Sequence, residues 1–75
     1  MERQAIAHMF TRELRQAGHV RRFIIREAPR QGWEVREEAD SQVIRQVHYR
    51  DWHRVERARM RFDEQVSELE ECGWR

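Results

Sequence analysis

Apolar and polar residues alternate along this chain with two periods, one helical and one of two residues, and the switches between them mark the elements. Ile6, Met9, Phe10, Leu14 and Ala17 recur at i, i+3 and i+4 intervals, which predicts a helix over residues 2–17. Gly18 stands where a left-handed residue ends a helix, and Arg12 and Arg15 lie near that end, where cations suit the dipole. Residues 20–27, Val-Arg-Arg-Phe-Ile-Ile-Arg-Glu, are β-branched and aromatic with interleaved charges, and read as a strand. Pro29 to Gly32 is turn chemistry. Period-two alternation over residues 33–38 predicts a second strand, and Ala39-Asp40-Ser41 a short turn. Residues 42–49 form the third strand. Asp51 then has the character of an N-cap, and Trp52, Val55, Ala58, Phe62, Val66 and Leu69 stripe one side of a helix over residues 52–72, stopped at Gly73.

Links this short force neighbouring strands to run antiparallel. The fold class that follows is α+β in the order α-β-β-β-α: one domain over residues 1–75, with a three-stranded antiparallel meander and two helices packed on one face. Phe23, Ile25, Trp33, Val35, Val47 and Tyr49 are expected to face the helices, with Ile24 on the opposite side. The uncovered face then displays Arg22, Arg26, Glu34, Arg36, Glu38, Ile44, Gln46 and His48. Placing Ala28 opposite Gly32 sets Arg26 across from Glu34 and Arg22 across from Glu38, pairs worth about 0.2–1 kcal/mol each. Such a face lacks the exposed rings of a base-stacking sheet and reads as a salt ladder, either solvated or buried in a dimer.

Composition narrows the function. The chain has 75 residues, and a core this small rarely contributes more than roughly 3–5 kcal/mol, so a staple is expected. Cys72 is the only cysteine, which excludes an internal disulfide and, with no signal-like apolar stretch, points to the cytoplasm. No apolar run approaches the ~20 residues of a membrane span. Self-association is the staple that remains. Charged residues make up 39% of the chain, yet the net charge is only +1. All 15 basic residues are arginine, a bias that GC-rich codons explain and that also suits bidentate recognition of carboxylate or phosphate.

The last helix is the most informative segment. Its first half carries Arg54, Arg57, Arg59 and Arg61 against one acid, Glu56; its second half carries Asp63, Glu64, Glu68, Glu70 and Glu71. The macrodipole favours the opposite order. An antiparallel partner helix would compensate, and in a two-fold homodimer the same helix supplies both ends. Arg54, Arg57, Arg61, Glu64, Glu68 and Glu71 are the candidate interface residues. The competing account is a solvated face with internal pairs such as Arg59–Asp63.

The alternative partner is nucleic acid, with Arg50, His53, Arg54, Arg57 and Arg61 clustered where free helix N–H groups favour phosphate. The order α-β-β-β-α is similar to that of the double-stranded RNA-binding domain, a family that contacts backbone phosphates from the start of its second helix. The resemblance lies in topology over nearly the whole chain. At the position of the family's lysine-rich motif this chain reads Asp51-Trp52-His53-Arg54, so the family's binding residues are not carried over. A sequence pI near 8.1 is also low for such a binder.

Nothing in the sequence assembles a catalytic site. Cys72, at a helix C-terminus beside Glu68, Glu70 and Glu71, is placed against forming a thiolate. His48, Asp51 and His53 fall close together in sequence, but Asp51 is accounted for as a cap and no metal-ligand pattern surrounds them. No catalytic residue, metal or cofactor is assigned. The sequence reading is a non-enzymatic interaction module acting as a homodimer.

Overall fold

The structure, a computed structural model, describes residues 8–75, with the side chains of His8 and Met9 left aside. Its elements run β1 (His8–Gln16), β2 (His19–Ala28), β3 (Gly32–Ala39), β4 (Gln42–Tyr49) and α1 (Trp52–Glu71). The strands form one antiparallel meander in the order β1-β2-β3-β4, with α1 across one face. The α+β class and the C-terminal helix stand as expected. The α-β-β-β-α order does not: among the described residues there are four strands and one helix, where three strands and two helices were expected. The described part of the helix expected over residues 2–17 is β1, and its residues 2–7 lie outside the described residues. Among the described residues the element order also departs from that of the double-stranded RNA-binding domain, since residues 8–16 are a strand.

The physical reason for the difference lies in a spacing that two structures share. Phe10 and Leu14 are four residues apart, which puts them on one side of a helix and equally on one side of a strand. In β1 that side carries Phe10, Arg12, Leu14 and Gln16. Phe10 lies 5.9 Å from the Phe62 ring, Arg12 reaches Glu70, Leu14 is buried, and Gln16 donates to the Cys72 carbonyl. Tertiary demand decides between the two. Phe23, Ile24 and Ile25 of β2 are consecutive and all buried, so β2 is covered on both faces and needs a neighbour along each edge. Gly18 does take a left-handed conformation, but as half of a two-residue hairpin: Ala17 has φ 51° and Gly18 φ 84°, between paired Gln16 and His19.

The same device recurs at Asp40 (φ 52°) and Ser41 (φ 71°), which join β3 to β4. Asp40 also ties this turn to β2. Its backbone N–H donates to the Val20 carbonyl (2.8 Å), its Oδ1 accepts from the Val20 N–H (2.9 Å), and its Oδ2 lies 3.0 Å from His19 Nδ1. The Val20 N–H, together with His19, holds the Asp40 carboxyl below its ordinary range. Between β2 and β3, the Gln31 N–H donates to the Ala28 carbonyl (2.9 Å), closing a turn on Pro29 and Arg30, the latter at φ 71°.

The sheet register places Ala28 opposite Gly32, Arg26 opposite Glu34 and Arg22 opposite Glu38. In β4 the ladder slips once: Glu37 faces Arg45 while Glu38 faces Val43, leaving Ile44 as an extra, bulged residue. Leu14, Phe23, Ile25 and Val35 close against Val55, Ala58, Phe62 and Val66 of α1, with Phe10, Trp33, Tyr49, Leu69 and Trp74 around the margin. Asp51 caps α1 by accepting from the His53 N–H at 3.0 Å. At the other end Gly73 (φ 100°) and Trp74 donate to the Glu70 and Leu69 carbonyls, both at 3.0 Å, the double closure of a Schellman end. Beyond it Arg75 exchanges backbone hydrogen bonds with Arg15 (2.9 and 3.0 Å), so the tail covers part of the outer edge of β1.

Candidate functional site

Two surfaces carry the charge of this chain, and they differ in whether that charge is already paired. The first is the sheet face turned away from α1. Glu34 accepts from Arg26 (2.7 Å) and from Gln46, with Arg36 3.8 Å away; Glu38 is held by Arg22 (3.1 Å) and Arg36 (3.6 Å); Glu13 stands 3.7 Å from Arg22. Arginine stems roof the strands beneath them. Ile24, which points to this side, is only 7% exposed although no helix covers it, and Glu34 is only 5% exposed. Burial pushes the Glu34 carboxyl up. The hydrogen bonds from Arg26 and Gln46 and the charges of Arg36 and Arg26 outweigh that and leave it below its ordinary value of 4.5.

A folded-state value lower than the unfolded one means that the ionised form favours folding. The stability Glu34 contributes is therefore fully present above about pH 4.5 and is lost as pH falls through its lower folded value. Urea midpoints followed from neutral pH down to about pH 3 should drop for the native chain, and Glu34→Gln should flatten part of that drop. Equal slopes for both chains would show that Glu34 is not a contributor.

The second surface is the outer side of α1. Arg54, Arg57, Arg61, Glu64, Glu68 and Glu71 are all exposed. Among the described residues none of the last five makes an ion pair, and Arg54 has one only at the 4.0 Å limit, with Asp51. Their helical neighbours relieve them little: only Arg61 and Glu64 are of opposite sign at i, i+3, and they make no ion pair. Arg57 and Arg61, and Glu64 and Glu68, are like-charged i, i+4 pairs, each mildly unfavourable in an isolated helix. The internal pair of the competing account, Arg59–Asp63, is not formed; the Arg59 guanidinium lies 5.9 Å over the Phe10 ring. The ends of the dipole are treated locally. Asp51 caps the start, and Arg12 of β1 brings a cation to the last turn through Glu70 (2.9 Å). Among the described residues the charged stripe between those ends has no ion pair beyond that of Arg54 with Asp51.

No protein-family model, curated protein or solved structure matches this chain. Its chemistry is therefore read from the residues alone.

The arginines proposed for nucleic acid are partly brought together. Arg54, Arg57 and Arg61 line a shallow groove with Tyr49, between α1 and β4. Arg50 is not in this groove: it donates to the Arg30 carbonyl (3.0 Å) and lines the adjoining depression with Tyr49 and Arg54, and the Asp51 carboxylate sits at the helix start where a phosphate would have to lie. Tyr49 is a member of this groove that the sequence reading assigned to the core; its place at the last position of β4, two residues before the cap, is the signal that could have revealed it. His48 and Asp51 both line a neighbouring open depression, but among the described residues no group of three His, Cys, Asp or Glu side chains is arranged to hold a metal. Cys72 is exposed at the C-cap of α1. Among the described residues no helix is long and apolar enough to cross a membrane.

Proposed function

We propose that this chain is a small, cytoplasmic, non-enzymatic interaction module that acts as a homodimer through the outer side of α1. One observation carries the reading: a 20-residue helix holds basic residues in its first half and acidic ones in its second, on an exposed surface with almost no partner among the described residues. A helix costs itself stability by this order, and a second copy running the other way removes the cost. The sheet face is a weaker candidate, because its carboxylates Glu34 and Glu38 are already hydrogen-bonded to arginine.

Light scattering coupled to size-exclusion chromatography should give a mass near twice 9.3 kDa at high micromolar concentration. The dimer fraction should fall as salt is raised, since exposed charges are screened. A monomer throughout that range would end the proposal.

A second reading rests on the groove of Tyr49, Arg54, Arg57 and Arg61, whose chemistry would suit a phosphate backbone. Fluorescence anisotropy at low salt with single- and double-stranded RNA and DNA separates the two. Nucleic acid would take the same three arginines that the homodimer uses, so binding there should dissociate the dimer.

A further inference from the structure

Six of the exposed charges of α1 fall on one line of its outer surface. Arg54, Arg57, Arg61, Glu64, Glu68 and Glu71 are separated by 3, 4, 3, 4 and 3 residues, the spacing of a single heptad seam, and the sign changes once, at its centre. Resting on the homodimer reading, we infer that two copies of α1 pair antiparallel in one fixed register, with the two-fold axis passing between residues 62 and 63. Arg54 then meets Glu71 of the second copy, Arg57 meets Glu68, and Arg61 meets Glu64. The symmetry repeats each pair, so all twelve charges are matched.

The pattern rejects the alternatives as clearly as it fits this one. A parallel pair in register sets every charge against its own copy. An antiparallel pair slipped by one heptad in one direction sets Arg57 against Arg61, and in the other direction Glu64 against Glu68. Both slips leave like charges face to face and part of the seam unmatched. Specificity of this kind comes from what the wrong registers would juxtapose, as much as from the right one.

Apolar contact is available beside the seam. Met60 is 64% exposed, the most exposed of the large apolar side chains among the described residues, and it neighbours both Arg57 (i−3) and Glu64 (i+4) on the helix surface. Pairing the helices along the seam would take Met60 out of water on both copies. Charge matching of this sort sets orientation more than it adds affinity, so the association is expected to be modest and sensitive to salt.

The test uses the full chain and its exposed positions, with circular dichroism confirming that each variant folds. Arg57→Glu and Glu68→Arg each place two like-charged pairs in the dimer, and each should raise the dissociation constant about tenfold or more by sedimentation equilibrium. The swap Arg57→Glu with Glu68→Arg in one chain restores both pairs and should return it to within about threefold of the original. The mismatched pair Arg57→Glu with Glu71→Arg should not recover. Mixing the Arg57→Glu chain with the Glu68→Arg chain should produce a heterodimer, since both cross pairs are then of opposite sign.

A dimer that ignores the single reversals, or a swap no better than either single change, would overturn this register while leaving self-association in place. A native chain that is monomeric would remove both.

Discussion

Replacing Phe62 by alanine should cost about 3–5 kcal/mol, which is the whole of what a core this size is expected to contribute. Phe62 sits in the middle of α1 and is 4% exposed. Its ring lies 5.0 Å from that of Phe23 and 5.9 Å from that of Phe10, so it joins the helix to both β2 and β1. Truncation removes the contacts with both rings at once, and the surrounding sheet, fixed by its ladder, relaxes little into the space. Far-ultraviolet circular dichroism should show the helical signal largely lost in dilute buffer, and any residual fold should melt at much lower urea. The exposed change Ser67→Ala, on the same helix, should move stability by no more than about 0.5 kcal/mol. A Phe62→Ala chain that kept a native urea midpoint would mean that the helix is not held by this cluster.

Gly32→Ala is the second change expected to be severe, for a reason that has nothing to do with lost contacts. Gly32 has φ +83°, and a β-carbon there would lie 2.3 Å from the Tyr49 carbonyl oxygen and 2.9 Å from the Arg50 α-carbon. Both are backbone atoms, so no side chain can swing aside. The left-handed conformation alone costs an alanine about 1–2 kcal/mol. Moving the end of β4 should bring the total to about 3 kcal/mol or more. The displaced segment leads straight into the Asp51 cap, so the start of α1 should shift with it. The Trp33–Trp52 edge contact, 5.1 Å between ring centroids, is the local reporter, and its near-ultraviolet dichroism should change. Gly18→Ala gives the comparison: the same positive φ (+84°) with nothing within 4 Å of a β-carbon, hence the conformational cost alone. Equal losses at Gly18 and Gly32 would show that crowding against β4 contributes nothing.

The parts of this fold legible in the sequence are those where one local signal has one structural meaning. Period-two alternation in residues 33–38 reads as a strand, and with Ala28 opposite Gly32 it gives the Arg26–Glu34 and Arg22–Glu38 pairs found in the sheet. Asp51 followed by Val55, Ala58, Phe62 and Val66 allows only a capped helix, and those four are its buried residues. The first segment misled because Phe10 and Leu14 satisfy two periods at once, and Gly18 serves a hairpin as readily as a helix end. The deciding fact was non-local: Phe23-Ile24-Ile25 buries three successive side chains, which marks a strand with neighbours along both edges.

The candidate surface was legible in kind but not in arrangement. Charge order along residues 54–71 is visible in the sequence. Which of those charges the rest of the chain would neutralise is not, because it depends on β1. Arg12 reaches Glu70, and Arg59 lies over Phe10; both partners lie on the segment whose structure was misread. With those two accounted for, the six residues named from the sequence remain exposed on one line, beside Glu56 and Asp63.

The bulge at Ile44 gives β4 one residue of slack. Were Ile44 lost, Val43 would still stand across from Glu38 and Arg45 from Glu37, because the ladder already passes over it. A residue lost between Val47 and Tyr49 has no such allowance: one side or the other of the strand would turn inside out, carrying polar groups under α1. Length can therefore drift at a single point of this edge while everything downstream, including the helix that presents the charged seam, keeps its aim.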